Sequence, residues 1–223
     1  MTLIDALIFD FDGLIVETEG TWFDVWQETY ATFDLPLAFE LYAQTIGTTF
    51  AVFNPWTHLE SLIGRPLDRE SIRRQHKVRY AELIKDAPIL PGVVAHLDRA
   101  AELGIKLGVA SSSDREWVFG HLTRIKLLDR FDVIRTSNDV TRVKPDPELY
   151  RTATELLGAS TWRTIAYEDS PNGLKAARDA GLFCVVIPNA LTVRLPLLDA
   201  HVRLGSLADF TLDEIISKAE SRT

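Results

Sequence analysis

Two aspartates close to the N-terminus, Asp10 and Asp12, are separated by one residue and followed by Gly13. They come directly after the apolar run 6–9, which predicts a buried strand of a parallel sheet. Because side chains alternate along a strand, carboxylates two residues apart lie on the same side of the chain. Two such anions repel unless a cation or a proton lies between them. The pair therefore predicts a site for a hard metal ion and a phosphate, although an Asx-turn followed by a helix cap would also use these residue types.

A second polar cluster, residues 111–114, follows the apolar run 105–110 and precedes a predicted helix. Hydroxyl groups and backbone amides at a helix N-terminus suit phosphate oxygens. Ser111, with Ser112 beside it, is the predicted phosphate contact because it comes first after the strand. We expect Ser113 or Asp114 to cap the helix.

Lys144 lies in a loop that Pro145 and Pro147 restrict. A lysine in a loop is usually solvated, but here its ammonium group could neutralise Asp10 and a phosphate oxygen together. Pro147 begins a predicted helix, where proline is tolerated.

Two adjacent acids, Glu168 and Asp169, end the apolar run 164–167. Magnesium prefers oxygen ligands and retains several waters, so a few carboxylates and a phosphate suffice to hold it. Asp169 is the predicted ligand, with Glu168 either a second ligand or a partner through water. A cap for the helix that starts near Pro171 would explain one acid but not two.

Alternation of strands and helices beyond residue 88 predicts an α/β fold with a doubly wound parallel sheet. Four helix-like stretches, ending near residue 84, interrupt the alternation directly after the first strand. We therefore predict a core domain of residues 1–14 and 88–223 and a helical cap domain of residues 15–87. In such sheets ligands bind outside the carboxyl ends of the strands, where all four polar clusters fall.

In this order and spacing, the four clusters resemble the four motifs of the haloacid dehalogenase-like superfamily. The resemblance covers almost the whole chain and is closest to the branch with a helical cap after the first strand, which includes β-phosphoglucomutase-like proteins and many sugar-phosphate phosphatases. It implies Asp10 as the nucleophile that forms an aspartyl-phosphate and Asp12 as the acid and base. It also implies that Ser111 and Lys144 surround the phosphate.

The resemblance further implies a Mg²⁺ ion bound by Asp10, by the backbone carbonyl of Asp12 and by Asp169, with Glu168 nearby. Asp12 favours phosphoryl transfer over halide displacement, because dehalogenases of the superfamily lack this second acid. Glu17 departs from the family, whose members usually have Asp there.

Phosphatase and mutase activities are distinguished in this family by residues of the cap. In β-phosphoglucomutase a cap histidine gates hydrolysis and a cap arginine binds the second phosphate, and the matching positions here are Trp22 and Phe50. Neither side chain can relay a proton or pair with a phosphate. The sequence therefore favours a phosphatase, with a sugar-phosphate mutase as the alternative and a non-catalytic phospho-ligand-binding protein as a third possibility.

Substrate specificity is expected to come from the cap. The predicted specificity residues are Glu19, Trp22, Gly47, Thr48 and Thr49. The glycine and two threonines suit a hydroxyl-rich sugar or polyol, although a plain turn between helices would look the same. We expect the cap aromatics Trp22, Phe23, Trp26 and Tyr30 to pack mainly inside the cap.

Bulk properties agree with an enzyme of small metabolites. The net charge of −8 argues against a nucleic-acid or anionic-membrane partner. The single cysteine, Cys184, lies in an apolar run and excludes an intramolecular disulfide, and no signal peptide is visible, so we expect a cytoplasmic protein. We expect a monomer or weak homodimer. The basic stretch around His76 is predicted to be a solvated helix face, and the tail after Ile216 to be frayed.

Overall fold

A computed structural model describes residues 2–45, 53–197 and 199–221. Its centre is a six-stranded parallel sheet with the strand order β3-β2-β1-β4-β5-β6. The strands are β1 (Ala6–Phe9), β2 (Lys106–Ala110), β3 (Val133–Arg135), β4 (Thr164–Glu168), β5 (Phe183–Val186) and β6 (Val202–Arg203). β1 and β4 are buried at every residue, because helices cover both faces of the sheet.

Five helices flank the sheet and confirm the doubly wound architecture. They are α5 (Val93–Leu103), α6 (Arg115–Arg124), α7 (Glu148–Leu156), α8 (Pro171–Asp179) and α9 (Leu212–Glu220). Side chains of α5, α6 and α9 pack with Leu7 and Phe9 in one hydrophobic cluster. Those of α7 and α8 pack with Ala6 and Ile8 in a second cluster on the opposite face.

The chain end departs from the prediction. The expectation of a frayed tail after Ile216 is wrong, because α9 continues to Glu220. The Glu220 carboxylate accepts hydrogen bonds from the Thr2 hydroxyl at 2.9 Å and from the Leu3 amide at 2.7 Å. These bonds join the last helix to the N-terminal segment ahead of β1.

Among the described residues between β1 and α5 there are four α-helices, as predicted. They are α1 (Glu19–Ala31), α2 (Phe39–Tyr42), α3 (Pro55–Ile63) and α4 (Arg69–Ile84). Their shared core buries Trp26, Tyr30 and Trp56, with Trp22 and Phe23 packed against it. The aromatic side chains of α1 therefore pack within this helical segment, as predicted.

The two connections between the helical segment and the sheet lie side by side. Val16 pairs with both Asp12 and Ile89, and the Leu90 amide donates to the Ile15 carbonyl at 2.9 Å. The segment that leads into α5, residues 88–92, is thus tied to the chain leaving β1. The division into a core and a cap at these connections stays a prediction.

His76 contradicts the prediction of a solvated face. Its side chain is buried, and its Nε2 lies 2.6 Å from the Thr29 hydroxyl oxygen. The ring contacts Trp26 edge-on and stacks near Trp56. Other residues of the basic stretch, among them Arg73 and Lys77, are exposed.

Burial lowers the pKa of His76 from 6.5 to about 4. The unfolded chain therefore binds a proton that the folded protein excludes, so the free energy of unfolding should fall as the pH drops from 6.5 towards 4. We expect His76→Gln to flatten this part of the pH profile, measured by urea unfolding. At pH values where histidine is neutral, the difference in the free energy of unfolding between variant and parent does not depend on this proton, and it serves as the control. Identical pH slopes below 6.5 in variant and parent would contradict the assignment.

Candidate active site

The carboxyl ends of β1, β2 and β4 meet where the strand order reverses. From β1 the sheet continues through β2 and β3 on one side and through β4 to β6 on the other. Asp10 and Ser111 directly follow β1 and β2, while Glu168 ends β4 and Asp169 follows it. Lys144 reaches the same place from the loop before α7. The fold therefore brings the four predicted clusters together.

Lys144 connects two carboxylates in the interior. Its Nζ donates to Asp10 Oδ1 at 2.5 Å and to Glu168 Oε1 at 2.7 Å. The whole lysine is 5% exposed. Burial by itself lowers the pKa of Lys144, but the charges and hydrogen bonds of Asp10 and Glu168 outweigh it and hold that pKa above its ordinary value. The lysine is therefore a fixed cation at the bottom of the site.

Opposing influences act on the pKa of the Asp10 carboxyl group. Burial, the largest of them, raises its pKa, and the nearby charges of Glu168 and Asp12 act in the same direction, so that the pKa is about 7 even with Lys144 present. The ammonium group of Lys144 lowers that pKa in opposition. A further cation beside Asp10 would favour its ionised form still more.

Glu168 is fully buried, and both of its oxygens are engaged. Oε1 accepts the Tyr150 hydroxyl at 2.5 Å as well as Lys144. Oε2 accepts the Asp169 amide at 3.1 Å and the Ser170 hydroxyl at 3.3 Å. An anion at this position also interacts favourably with the N-terminus of α8. Such a set of donors suits the outer-shell alternative for Glu168.

Gly173 in the first turn of α8 makes room for that carboxylate. A Cβ atom at this position would lie 1.9 Å from the Glu168 carboxyl group. We expect Gly173→Ala to displace Glu168 from Lys144, lowering the free energy of unfolding by about 1–3 kcal/mol and reducing activity. Chemical unfolding measures the first effect.

Gly120→Ala is the matched control for stability, because a Cβ there meets nothing within 4 Å among the described residues and Gly120 lies inside α6. Its helix should be stabilised slightly. Equal effects of the two substitutions would show that the space above Gly173 is not needed.

Three carboxylates form a group that could hold a metal ion. Ligand atoms of Asp10, Glu168 and Asp169 all lie within 4.8 Å of one another. Asp169 Oδ2 accepts a hydrogen bond from Asn189 Nδ2 at 2.7 Å. Gly13 has a positive φ of 77°, and a Cβ there would come within 2.5 Å of both Asn189 and Asp169. Oxygen donors of this kind fit magnesium.

Asp12 is separate from that group and has its own set of hydrogen bonds. Oδ1 accepts the Thr18 hydroxyl at 2.8 Å and the Trp117 indole N–H at 2.8 Å. Oδ2 accepts the hydroxyls of Ser113 at 2.6 Å and Ser111 at 3.3 Å. Sequence reasoning found Asp12 but missed Thr18 and Trp117 as its partners.

The residues of the second polar cluster, 111–114, make different contacts. Ser111 is buried, and its Oγ accepts the Ser113 amide at 3.0 Å. Asp114 is the N-cap of α6 and accepts from the Trp117 amide, which is one of the two predicted alternatives. Ser112 lines the crevice above Asp10.

This crevice has a volume of about 910 Å³ and lies between the sheet and the helical segment. The helical wall includes Trp22, Trp56 and Tyr80, together with the cationic side chains of Arg73 and Lys77. Of these, only Trp22 was among the predicted specificity residues. Spacing of four residues along α4 places Arg73 and Lys77 on one face, a signal that could have found them.

The remaining predicted specificity residues are not tested by the structure. Gly47, Thr48 and Thr49 lie outside the described residues, as does Phe50, and the side chain of Glu19 is likewise outside the description. The proposed roles of these residues stay predictions.

Comparison with known proteins identifies the family. The sequence profile of the haloacid dehalogenase-like hydrolases matches residues 7–187, and the chain belongs to this family. It is 43% identical over 220 residues to YhcW of Bacillus subtilis (strain 168), covering 99% of this chain and 100% of that protein. The resemblance stated from the sequence is thereby confirmed.

Two further proteins that resemble the chain indicate its class of enzyme. Hexitol phosphatase B of Escherichia coli (strain K12) is 26% identical over 220 residues, covering 95% of this chain and 96% of its own. The crystal structure of CbbY from Rhodobacter sphaeroides in complex with phosphate superposes with a TM-score of 0.72 at 30% identity, covering 92% of this chain and 96% of that one. The chain is thus an enzyme of the phosphatase class within the family.

Cys184 is buried and free, and burial raises the pKa of its thiol well above the ordinary value. None of the helices in the described residues combines the length and the apolar composition needed to cross a bilayer.

Proposed function

We propose that the chain is a magnesium-dependent phosphatase that hydrolyses a small phosphorylated sugar or polyol through an aspartyl-phosphate on Asp10. The observation that carries the proposal is the 2.5 Å contact between Asp10 and Lys144, next to Asp169 and at the base of the crevice. A carboxylate held by a lysine can attack phosphorus while the lysine neutralises charge on the phosphate. The name of the hexitol phosphatase relative supports the substrate class.

In the first step Asp10 attacks the phosphorus atom. Lys144 binds Oδ1, so we assign the attack to Oδ2. A bond forms between this oxygen and phosphorus as the bond from phosphorus to the ester oxygen breaks. Asp12 gives its proton to the departing alkoxide, which leaves as an alcohol.

In the second step water attacks the phosphorus of the aspartyl-phosphate. Asp12, now ionised, takes a proton from the water, and the bond to Asp10 breaks. Inorganic phosphate leaves, and both aspartates return to their starting states. Ser111 and Ser112 contribute hydroxyl and amide groups for the phosphate oxygens at the start of α6.

Magnesium would be held by Asp10, by the backbone carbonyl of Asp12 and by Asp169, with Glu168 as an outer partner. When bound, the ion offsets negative charge on the phosphate and the attacking carboxylate. Asn189 orients Asp169 for this role through their 2.7 Å hydrogen bond. Glu168 keeps Lys144 in place beside Asp10.

We propose that residues 15–87 act as a cap and restrict the substrate to small molecules. Aromatic side chains such as Trp22 and Tyr80 offer an apolar wall for the carbon skeleton of a sugar or polyol. We also propose that the protein acts in the cytoplasm, as a monomer or weak homodimer.

A sugar-phosphate mutase is the second candidate, because Arg73 and Lys77 line the crevice and could neutralise a second phosphate. The presence of Trp22 and Phe50 in place of histidine and arginine therefore does not exclude a mutase. Trp22 lines the crevice but offers no proton relay there.

The test incubates the purified protein and Mg²⁺ with sugar and polyol phosphates, including β-glucose 1-phosphate, and follows free phosphate and isomerised product. Phosphate release that stops with EDTA and returns with Mg²⁺ is the expected result. Isomer without free phosphate would establish the mutase. Neither product with any substrate would indicate a phospho-ligand-binding protein.

A further inference from the structure

Trp117 contacts the proposed acid and base without belonging to any of the four motifs. Its indole Nε1–H donates to Asp12 Oδ1 at 2.8 Å from the first turn of α6. The indole lies against His121, with 4.4 Å between ring centroids, and against Tyr80, with 4.9 Å. Packing on two sides fixes the direction of the N–H.

The partners of Asp12 differ in what they can do. Thr18, Ser111 and Ser113 bind through hydroxyl groups, which can turn and become acceptors. The indole N–H of Trp117 can only donate. Oδ1 must therefore remain an acceptor while Trp117 is bound, and Oδ2 is the oxygen that can carry a proton.

We propose that Trp117 is a positioning residue that fixes the rotation of the Asp12 carboxyl group, so that Oδ2 delivers the proton to the leaving alkoxide. This inference rests on the proposed function, in which Asp12 is the general acid. Oδ2 is the oxygen beside Ser111, the predicted phosphate contact. The proton thus lies on the side of the carboxyl group that faces the phosphate site.

Contacts with the helical segment make this positioning depend on how that segment packs. Tyr80 of α4 touches the Trp117 ring, and Trp22 of α1 stacks on Tyr80 with 4.4 Å between centroids. The ring centroids of Trp22 and Trp117 are also only 6.4 Å apart. A segment packed against α6 therefore holds the indole, and through it Asp12, in the orientation described.

The experiment separates proton delivery from other losses by changing the leaving group. Trp117→Phe keeps an aromatic ring but removes the N–H donor. We compare kcat/KM for sorbitol 6-phosphate, whose alkoxide needs a proton, with that for p-nitrophenyl phosphate, whose phenolate does not. kcat/KM reports the steps up to departure of the leaving group, so later water attack does not affect the comparison.

For Trp117→Phe we expect kcat/KM to fall about tenfold with sorbitol 6-phosphate and less than about twofold with p-nitrophenyl phosphate. An equal fall with both substrates, or no fall with either, would overturn the proposal. Trp162→Phe is the control, because Trp162 is 61% exposed and is not among the residues that line the crevice. We expect this control substitution to leave kcat/KM unchanged for both substrates.

Asp12→Asn distinguishes failure of this inference from failure of the proposed function. A fall in kcat/KM confined to sorbitol 6-phosphate in Asp12→Asn, without such a fall in Trp117→Phe, would remove Trp117 from its role and leave Asp12 as the acid. Equal losses in Asp12→Asn would overturn the acid role itself, and the inference with it. If Trp117→Phe does not fold, benzothienylalanine at position 117 replaces the N–H by sulfur within the same ring shape and gives the same test.

Discussion

Asp10→Asn is expected to abolish turnover, lowering kcat by about 10⁴-fold or more. An amide has the shape of the carboxylate but is too weak a nucleophile to attack phosphorus. The variant should fold, because Lys144 keeps its 2.7 Å bond to Glu168. Phosphate release in the presence of Mg²⁺ measures turnover, and acid quenching followed by mass spectrometry detects the phosphorylated aspartate. We expect the phosphorylated species in the parent protein and not in the variant.

Asp98→Asn is the matched control for this substitution. Asp98 accepts a hydrogen bond from Arg130 at 2.8 Å, and its side chain is 58% exposed, so it shares the residue type but not the site. Turnover should match that of the parent. Near-normal turnover of Asp10→Asn would remove Asp10 from the nucleophile role, and phosphate trapped on another residue would identify its replacement.

Features with a local signal were predicted from the sequence. The apolar runs of β1 and β4 are buried at every residue, and the acids at their ends point to the edge of a parallel sheet. The edge strand β6 has two residues and was missed, because so short a run has no periodicity. The capping box of Thr211 and Glu214 at the start of α9 is a signal that the predicted fraying overlooked.

Features that depend on residues far apart in the chain could not be predicted. The bond between Trp117 and Asp12 joins positions 105 residues apart, and nothing near either residue indicates it. His76 illustrates an intermediate case, since its polar neighbours in sequence suggest exposure. Its spacing of four from Tyr80, which is also buried, is the signal of a buried stripe on α4. The polar character of the stretch outweighed that spacing in the prediction.

The largest effect on stability is expected from Lys144→Met. The substitution keeps an unbranched side chain of similar length but leaves Asp10 and Glu168 buried without their cation. Breaking a buried ion pair by removing one partner costs about 3–5 kcal/mol, because the remaining charges are neither solvated nor paired. Urea unfolding of the metal-free protein measures the loss.

Lys175→Met is the control for losing a lysine as such. Lys175 pairs with Asp179 at 2.5 Å on α8, and its side chain is 62% exposed. Exposed pairs of this kind contribute about 0.3–0.5 kcal/mol, so this variant should unfold almost like the parent. Similar losses from both lysines would show that the buried ion pairs of Lys144 with Asp10 and Glu168 are not the source of the effect.

The pH dependence provides a second criterion for Lys144→Met. Burial raises the pKa of Asp10 to about 7 even with Lys144 present, and removing the lysine removes the main influence that lowers it. A group whose pKa is higher in the folded state binds its proton more tightly there, so its contribution favours folding at low pH and is lost as the pH rises through that pKa. The stability deficit of the variant should therefore be smaller at about pH 5 than at about pH 8. A deficit independent of pH would mean that lost packing, and not the uncompensated charge of Asp10 and Glu168, causes the destabilisation.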